Sequence, residues 1–281
     1  MILKNDIKTV IISHVRRTAM ERFKKEQYIG SNGISAFDKI FDGFCKTHWH
    51  EFYEMEYIID GSGEYIVDGI SHTVSPGMLF FMTPLNFHSV AMSDSHIFNV
   101  MFSEKVCDNT FLSDLMEKHP NGVIIIPQQD RSFTEAVFKE LSNADRDSSY
   151  CEYLLNVILG KLSSYGNKSC RTSPSPLSNT LLFLLNHFRE NPSLAEAAEH
   201  SGYTPTYFSE IFKRETGETY KNQLDRLRFE YAQKLIKYSD MSVFQICRES
   251  GFDDYANFIR RFKKRYGISP REMKLQNNNK S

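Results

Sequence analysis

Near its end the chain repeats itself. Ser193-Leu194 is answered by Ser242-Val243 and Ser201-Gly202-Tyr203 by Ser250-Gly251-Phe252; after one inserted residue, Phe212-Lys213-Arg214 is answered by Phe262-Lys263-Lys264 and Gly217 by Gly267. Each copy reads as a short helix, a glycine turn and a second helix. Gly202 and Gly251 stand where a helix-turn-helix needs a residue tolerant of positive φ, and the aromatic after each glycine plugs the angle between the helices. The second helices, Pro205 to Glu215 and Asp254 to Tyr266, are the ones to be offered to a major groove. Between the copies, Thr219 to Tyr238 carries Leu224, Leu227, Arg228, Ala232, Leu235 and Ile236 at helical spacing. At about 1.5 Å per residue this segment makes a rod of roughly 30 Å, close to the roughly 34 Å between successive major-groove faces. Two copies are too few for a solenoid. Arg260, Arg261, Lys263, Lys264, Arg265 and Arg271 crowd the second copy with positive charge. DNA binding is therefore the expectation, and a duplicated hairpin that packs as a core or binds protein is the bland alternative.

The 281 residues exceed the usual span of one domain, with 41% hydrophobic and 25% charged residues, a composition that excludes wholesale disorder. No apolar stretch approaches the roughly 18–20 residues of a membrane span. The first twelve residues mix Lys4, Asp6 and Lys8 among apolar positions, so no signal peptide is read there and a cytoplasmic protein is expected. Five scattered cysteines without a C-x-x-C pair read as ordinary thiols. The net charge of −1 hides an asymmetry. Residues 1–170 hold 16 Lys and Arg against 22 Asp and Glu, whereas residues 171–281 hold 18 against 13. The basic back half points to a polyanion partner.

The front half reads first as short strands. His48 to Ile59 is one extended run, Gly61-Ser62-Gly63 a turn, and Glu64 to Val67 leads into Asp68-Gly69, a type I′ hairpin signal. His72 to Val74, a Pro76-Gly77 turn, Leu79 to Met82, Phe87 to Val90 and Ile97 to Phe102 continue the series, which suggests a small barrel or sandwich. The period then changes to three and four over Phe133, Val137, Phe138 and Leu141, and again over Tyr153, Leu154, Val157, Ile158 and Leu162, giving two closing helices. A Ser- and Pro-rich linker follows, then an apolar-periodic helix from Leu177 to Arg189.

The run from Ser193 to Met273 resembles the AraC/XylS family of bacterial transcription regulators. The likeness is most specific from Gly251-Phe252-Asp253-Asp254-Tyr255-Ala256-Asn257-Phe258 through Gly267-Ile268-Ser269-Pro270. The resemblance implies base contacts at Thr206, Ser209, Glu210 and Lys213 in the first copy and at Tyr255, Ala256, Asn257, Arg260 and Lys264 in the second. By residue type, Lys213 and Lys264 are expected on phosphate, and Phe208, Ile211, Phe212, Phe258 and Phe262 in the core. Glu210 departs from a position often basic in the family: a carboxylate there repels phosphate while it could accept from a cytosine amine.

The strand-rich half, with Gly43, His48, His50, Glu54, Gly61, Pro76-Gly77 and His88, resembles the double-stranded β-helix of cupins over about residues 35 to 105. The resemblance implies an effector pocket walled by His48, His50, Glu54 and His88. On one strand, even positions share a face, so the first three could look inward with Phe52. Imidazole and carboxylate also suit a transition metal, although no metal or cofactor is assigned. Trp49, Tyr53 and Tyr57 are expected to pack outside against a helix, and Tyr65 either there or as a stacking platform for a sugar.

The expected organisation is thus a mainly β effector-binding and dimerisation domain over 1–165, a linker over 166–176, an all-α domain with two helix-turn-helix motifs over 177–275 and a disordered tail over 276–281. The expected protein is a non-enzymatic, homodimeric transcription activator, with promoter DNA, RNA polymerase and a small effector, most simply a sugar, as partners. A metal-dependent cupin enzyme with a DNA-binding appendage, and an effector-free regulator using the barrel only to dimerise, are the alternatives.

Overall fold

The structure, a computed structural model, describes residues 21–144, 149–166 and 177–278. Apart from Gly166 the expected linker lies outside the described residues. The chain divides into two compact units, one of Glu21–Leu182 and another that takes in Phe183–Ser281.

The first unit is built on β1 (Glu21–Phe23), β2 (Ile34–His50), β3 (Tyr53–Val67), β4 (Ile70–Val74), β5 (Met78–Met82), β6 (His88–Phe102) and β7 (Val123–Ile125). They form one sheet of order β1-β2-β6-β3-β5-β7, with β4 on β3. β6 pairs along its whole length on both sides. On one side Ile34 faces Phe102 and His48 faces His88; on the other Tyr53 faces Phe102 and Val67 faces His88. The chain therefore leaves β2 at the His88 end of β6 and enters β3 at the Phe102 end, with only Glu51 and Phe52 between. Three Cα steps cover at most about 11 Å, whereas a flat β6 would hold those ends roughly 46 Å apart. The sheet must be coiled so that the two ends of β6 meet. Inside it lie Ile58, Tyr65, Val67, Phe80, Met82, Val90 and Ile97, all buried.

This coiling explains where the strand boundaries depart from the sequence pattern. The single run expected from His48 to Ile59 breaks at Glu51 and Phe52, the corner that the closure requires. Gly61-Ser62-Gly63 is no turn: β3 runs through it with register shifts on either side of Asp60. A Cβ on Gly61 would lie 2.5 Å from the Ser95 Cα, and one on Gly63 2.1 Å from the Ala91 carbonyl oxygen. These glycines let β6 press against a bulged β3. The two strands expected at 87–90 and 97–102 are one strand for the same reason. Asp68 and Gly69, at φ 51° and 86°, form the expected tight turn between β3 and β4.

Besides a single helical turn at Lys25–Tyr28, three longer helices accompany the sheet: α1 (Asn109–Lys118), α2 (Gln128–Asn143) and α3 (Tyr150–Ser163). Phe138 of α2 stacks on Tyr57 and Phe98, and Tyr57 donates to Glu135 at 2.9 Å, so Tyr57 packs against a helix as expected. α3 buries Leu155, Ile158, Leu159 and Leu162 but leaves Tyr150, Tyr153 and Val157 exposed at three- and four-residue spacing.

The boundary between units falls within α4 (Ser178–His187). Beyond it come α5 (Leu194–His200), α6 (Pro205–Thr216), α7 (Tyr220–Tyr238), α8 (Val243–Glu249), α9 (Tyr255–Tyr266) and α10 (Pro270–Asn278). The repeat is visible in its caps. Ser193 with Glu196 and Ser242 with Gln245 form capping boxes at α5 and α8. Gly202 and Gly251, at φ 71° and 79°, turn each hairpin, and Gly217 and Gly267 end each second helix. The duplication continues beyond the second helix, since Thr219 caps α7 as Ser269 caps α10. α10 thus extends to Asn278, into the segment expected as a disordered tail; residues 279–281 lie outside the described residues.

Removing the close approach between β3 and β6 tests the coiling. Gly63→Ala should cost the first unit at least about 2 kcal/mol by overpacking against backbone, read as an earlier urea transition of that unit. An unchanged midpoint would contradict the contact.

Candidate functional site

In the second unit, the apolar side of each second helix is sequestered by α7. Phe208 and Phe212 pack around Tyr220 with ring centroids 5.5–5.8 Å apart. Phe258 and Phe262 do the same around Phe229, which also meets Phe252 at 4.6 Å. With those sides fixed, α6 turns Thr206, Ser209, Glu210 and Lys213 outward as one exposed stripe. α9 exposes Tyr255, Ala256, Arg260 and Lys264, while Asn257 is half-buried and its Oδ1 accepts from Arg260 at 3.0 Å. The positive charge of the second copy is not all free. Arg261 is drawn in to Asp225 and stacks over Phe229, and Arg265 approaches Glu230 at 3.9 Å. Among the described residues Arg260, Lys263 and Lys264 make no ion pair, and all three carry their charge on the exposed side of α9.

In the first unit, His48, His50, Glu54 and His88 converge, by a route other than a shared strand face. His48 and His50 end β2, His88 opens β6 and Glu54 opens β3. His50 Nε2 and His88 Nε2 each lie 3.2 Å from Glu54 Oε2, and the His48 and His88 rings are 4.1 Å apart. Since Glu54 is paired on β6 with Met101, its contact with His88 spans the coil. All four side chains are buried. Three more buried groups complete the cluster: Glu56 and Asn99, which sequence reasoning passed over, and Tyr65, for which it left two roles open. Asn99 donates to Glu54 and to Glu56, each at 2.8 Å, and Tyr65 donates to Glu56 at 2.7 Å. Glu56 was legible, since it shares the inward face of β3 with Glu54. Asn99 was not, because only the pairing of β6 brings it between the carboxylates.

The hydrogen bonds fix proton positions. His48 Nδ1 lies 2.8 Å from the Lys46 carbonyl oxygen and His50 Nδ1 2.7 Å from that of Phe52. A carbonyl only accepts, so each Nδ1 carries a proton; the His48 ring turns an Nε2 lone pair inward, whereas His50 Nε2 is engaged with Glu54 Oε2. Burial pushes the His48 imidazolium down to about 3 and lowers His50 as well. Burial raises the Glu54 carboxyl, but hydrogen bonds and charge from His50 and His88 outweigh it and hold the group well below its ordinary range. Burial, then the charge of Glu54, pushes Glu56 up. His88 donates from Nε2 to Glu54, which leaves its buried Nδ1 without a partner. The centre is thus rich in acceptors. It invites either a hydrogen-bond donor or a cation. His48, Glu54 and His88 offer three ligand atoms within 4.8 Å of one another, a set that fits a transition ion.

A coiled sheet around a buried polar cluster, followed by a duplicated helix-turn-helix, defines a ligand-responsive DNA-binding regulator of transcription. The model of the AraC-like ligand binding domain matches residues 36–134, and that of a helix-turn-helix domain matches residues 197–276. The transcriptional activator RhaS of Mannheimia succiniciproducens is 23% identical over 242 residues, covering 81% of this chain and 88% of that protein. RhaS of Escherichia coli O81 is 24% identical over 240 residues, covering 81% and 86%. The crystal structure of ToxT from Vibrio cholerae aligns over 86% of this chain and 96% of its own at 14% identity, with a TM-score of 0.36. The chain thus joins an AraC-like ligand binding domain to a helix-turn-helix domain, and along most of its length it is similar to AraC-type transcriptional activators. No helix among the described residues is long and apolar enough to cross a membrane.

The buried imidazoles predict an acid-sensitive barrel. Between the ordinary histidine range and about 3, the unfolded chain binds a proton at His48 that the folded chain refuses. Stability therefore falls as pH drops below about 6.5, by up to about 1.4 kcal/mol per pH unit for each such histidine. Glu54 adds a loss of the same sign at lower pH, and Glu56 opposes it. Denaturant melts of the metal-free protein between pH 7 and pH 5 should show the decline, and His48→Gln should flatten it. A flat profile in the parent protein would contradict neutral buried imidazoles.

Proposed function

We propose that the protein activates transcription when a small polyhydroxylated effector, most simply a saccharide, enters the first unit and engages His48, His50, Glu54 and His88. The observation that carries this reading is the inward Nε2 lone pair of His48 and the buried, unpartnered Nδ1 of His88 beside the Glu54 carboxylate: hydroxyl groups supply the missing donors. The ligand acts by binding one state of the protein more tightly than the other. Under this reading residues 1–165 sense and dimerise, 166–176 link, and 177–275 bind DNA. Tyr150, Tyr153 and Val157 on α3 offer an apolar stripe for a second copy. Promoter DNA lies against Thr206, Ser209, Glu210 and Lys213 and against Tyr255, Ala256, Asn257, Arg260 and Lys264, and RNA polymerase is the downstream partner, in the cytoplasm.

A second reading is favoured by the spacing of His48, Glu54 and His88: the same cluster holds a transition ion. A thermal-shift screen of mono- and disaccharides, with metal analysis of protein purified from metal-replete medium, separates the two. The saccharide reading expects well under one metal per chain and a ligand-dependent rise in the melting temperature of the first unit, lost in Glu54→Gln. A full equivalent of iron, manganese or zinc, lost in His48→Ala, would replace it with the metal reading. No shift and no metal would leave the barrel as a dimerisation unit.

DNA affinity should depend steeply on salt. With several Lys and Arg on phosphate, log K against log salt should fall with a slope of about −4 to −7 per monomer. Lys264→Ala should reduce the steepness by about one while leaving sequence preference alone; a changed preference would move Lys264 from phosphate to base.

A further inference from the structure

The two exposed helices differ in charge. α9 carries five basic residues and no acidic one, whereas α6 carries Lys213 and Arg214 against Glu210 and Glu215. Arg214 and Glu215 are spent on each other at 3.1 Å. Glu210 is different: it is exposed, makes no hydrogen bond or ion pair among the described residues, and stands in the middle of the stripe Thr206, Ser209, Glu210, Lys213. These positions fall at i, i+3, i+4 and i+7, opposite buried Phe208, Ile211 and Phe212.

A free carboxylate at the centre of a surface laid on a polyanion must find a donor or be repelled. An ionised carboxylate only accepts. In the major groove the donors are the N4 amine of cytosine and the N6 amine of adenine. The adenine amine sits beside the N7 acceptor, whose lone pair opposes a carboxylate; the cytosine amine sits beside a C–H. Guanine offers only acceptors at its major-groove edge and thymine an acceptor and a methyl.

We infer that Glu210 is a specificity-determining residue that reads a cytosine in the half-site under α6, while the unpaired cations of α9 supply most of the electrostatic grip. This rests on the DNA-facing role given to α6 above. Glu210 selects by rejection: a site without cytosine at that step leaves a carboxylate facing acceptors in a groove with few counter-charges. The arrangement lowers affinity for DNA in general and sharpens the difference between sites.

Selection of bound duplexes from a randomised pool, with full-length protein, tests this directly. Wild type should enrich one invariant C·G pair in the half-site under α6, by roughly tenfold over the alternatives. Glu210→Gln should move the preference there to adenine, because an amide can donate to N7 and accept from N6. Glu210→Ala should leave that position degenerate, keep every other position, and raise affinity for random DNA severalfold at low salt. Identical profiles for all three proteins would overturn the proposal while leaving DNA reading by the chain intact. Loss of the whole half-site in Glu210→Ala would overturn it too, by making the residue structural. Failure of wild type to enrich any sequence would remove the DNA-facing assignment of α6 along with it.

Discussion

The first unit depends on β6 being paired twice. Because β2 and β3 both claim its full length, the sheet cannot lie flat: two residues must bridge a gap that a flat strand would make several times too long. Coiling is therefore forced by connectivity, and the other features of the unit follow from it. Glycine is required where β3 meets the inner curve of β6. Glu54 and His88, thirteen rungs apart by register, become neighbours. A buried carboxylate is costly when isolated; here Asn99 and two imidazoles surround it, and the same groups that stabilise the charge create an unfilled demand for donors. The closure of the sheet and the chemistry of its interior are one constraint seen at two scales.

The second unit is organised by α7. Its first turns hold the rings of the first hairpin through Tyr220, whose hydroxyl also donates to the Pro192 carbonyl at 2.8 Å. Its middle holds the second hairpin through Phe229. Between them Arg228 is buried with no carboxylate in contact: its Nε donates to the Phe188 carbonyl at 2.7 Å and its guanidinium lies over Phe252. Burial lowers its pKa. The residue works as a tie between the segment that precedes the first hairpin and the turn of the second, rather than as a DNA contact. A Cβ on Gly251 would come within 2.5 Å of the Arg189 carbonyl oxygen, so the same junction is closed by backbone on backbone.

How much of this was legible varied with the range of the interactions. The helical half was readable almost to its caps, because its determinants are local: Ser193, Gly202, Ser242 and Gly251 act within a turn of where they stand. The β half was readable as strands but not as boundaries. Gly61 and Gly63 look like a turn in sequence because glycine serves both turns and close approaches, and only the neighbouring strand decides which. The four residues expected in the pocket do meet, although the reason given by strand alternation fails once Glu51 and Phe52 place them on separate strands. Asn99 escaped because a barrel interior is assembled from long-range register, whereas Glu56 could have been read from its shared strand face with Glu54. Arg261 and Arg265 looked like free cations until Asp225 and Glu230 came alongside.

The length of α7 has a bearing on the DNA as much as on the protein. Two exposed helix faces fixed to the flanks of one nineteen-residue helix, a rod of about 28 Å, cannot slide relative to each other. Under the DNA-facing role proposed for both, the two halves of the site are locked in phase on one side of the duplex. Either half can be respelled by point mutation at a graded loss, because each base pair contributes its own increment. Inserting half a helical turn between them rotates one half out of reach altogether. Promoters under this protein can therefore drift in spelling far more freely than in spacing.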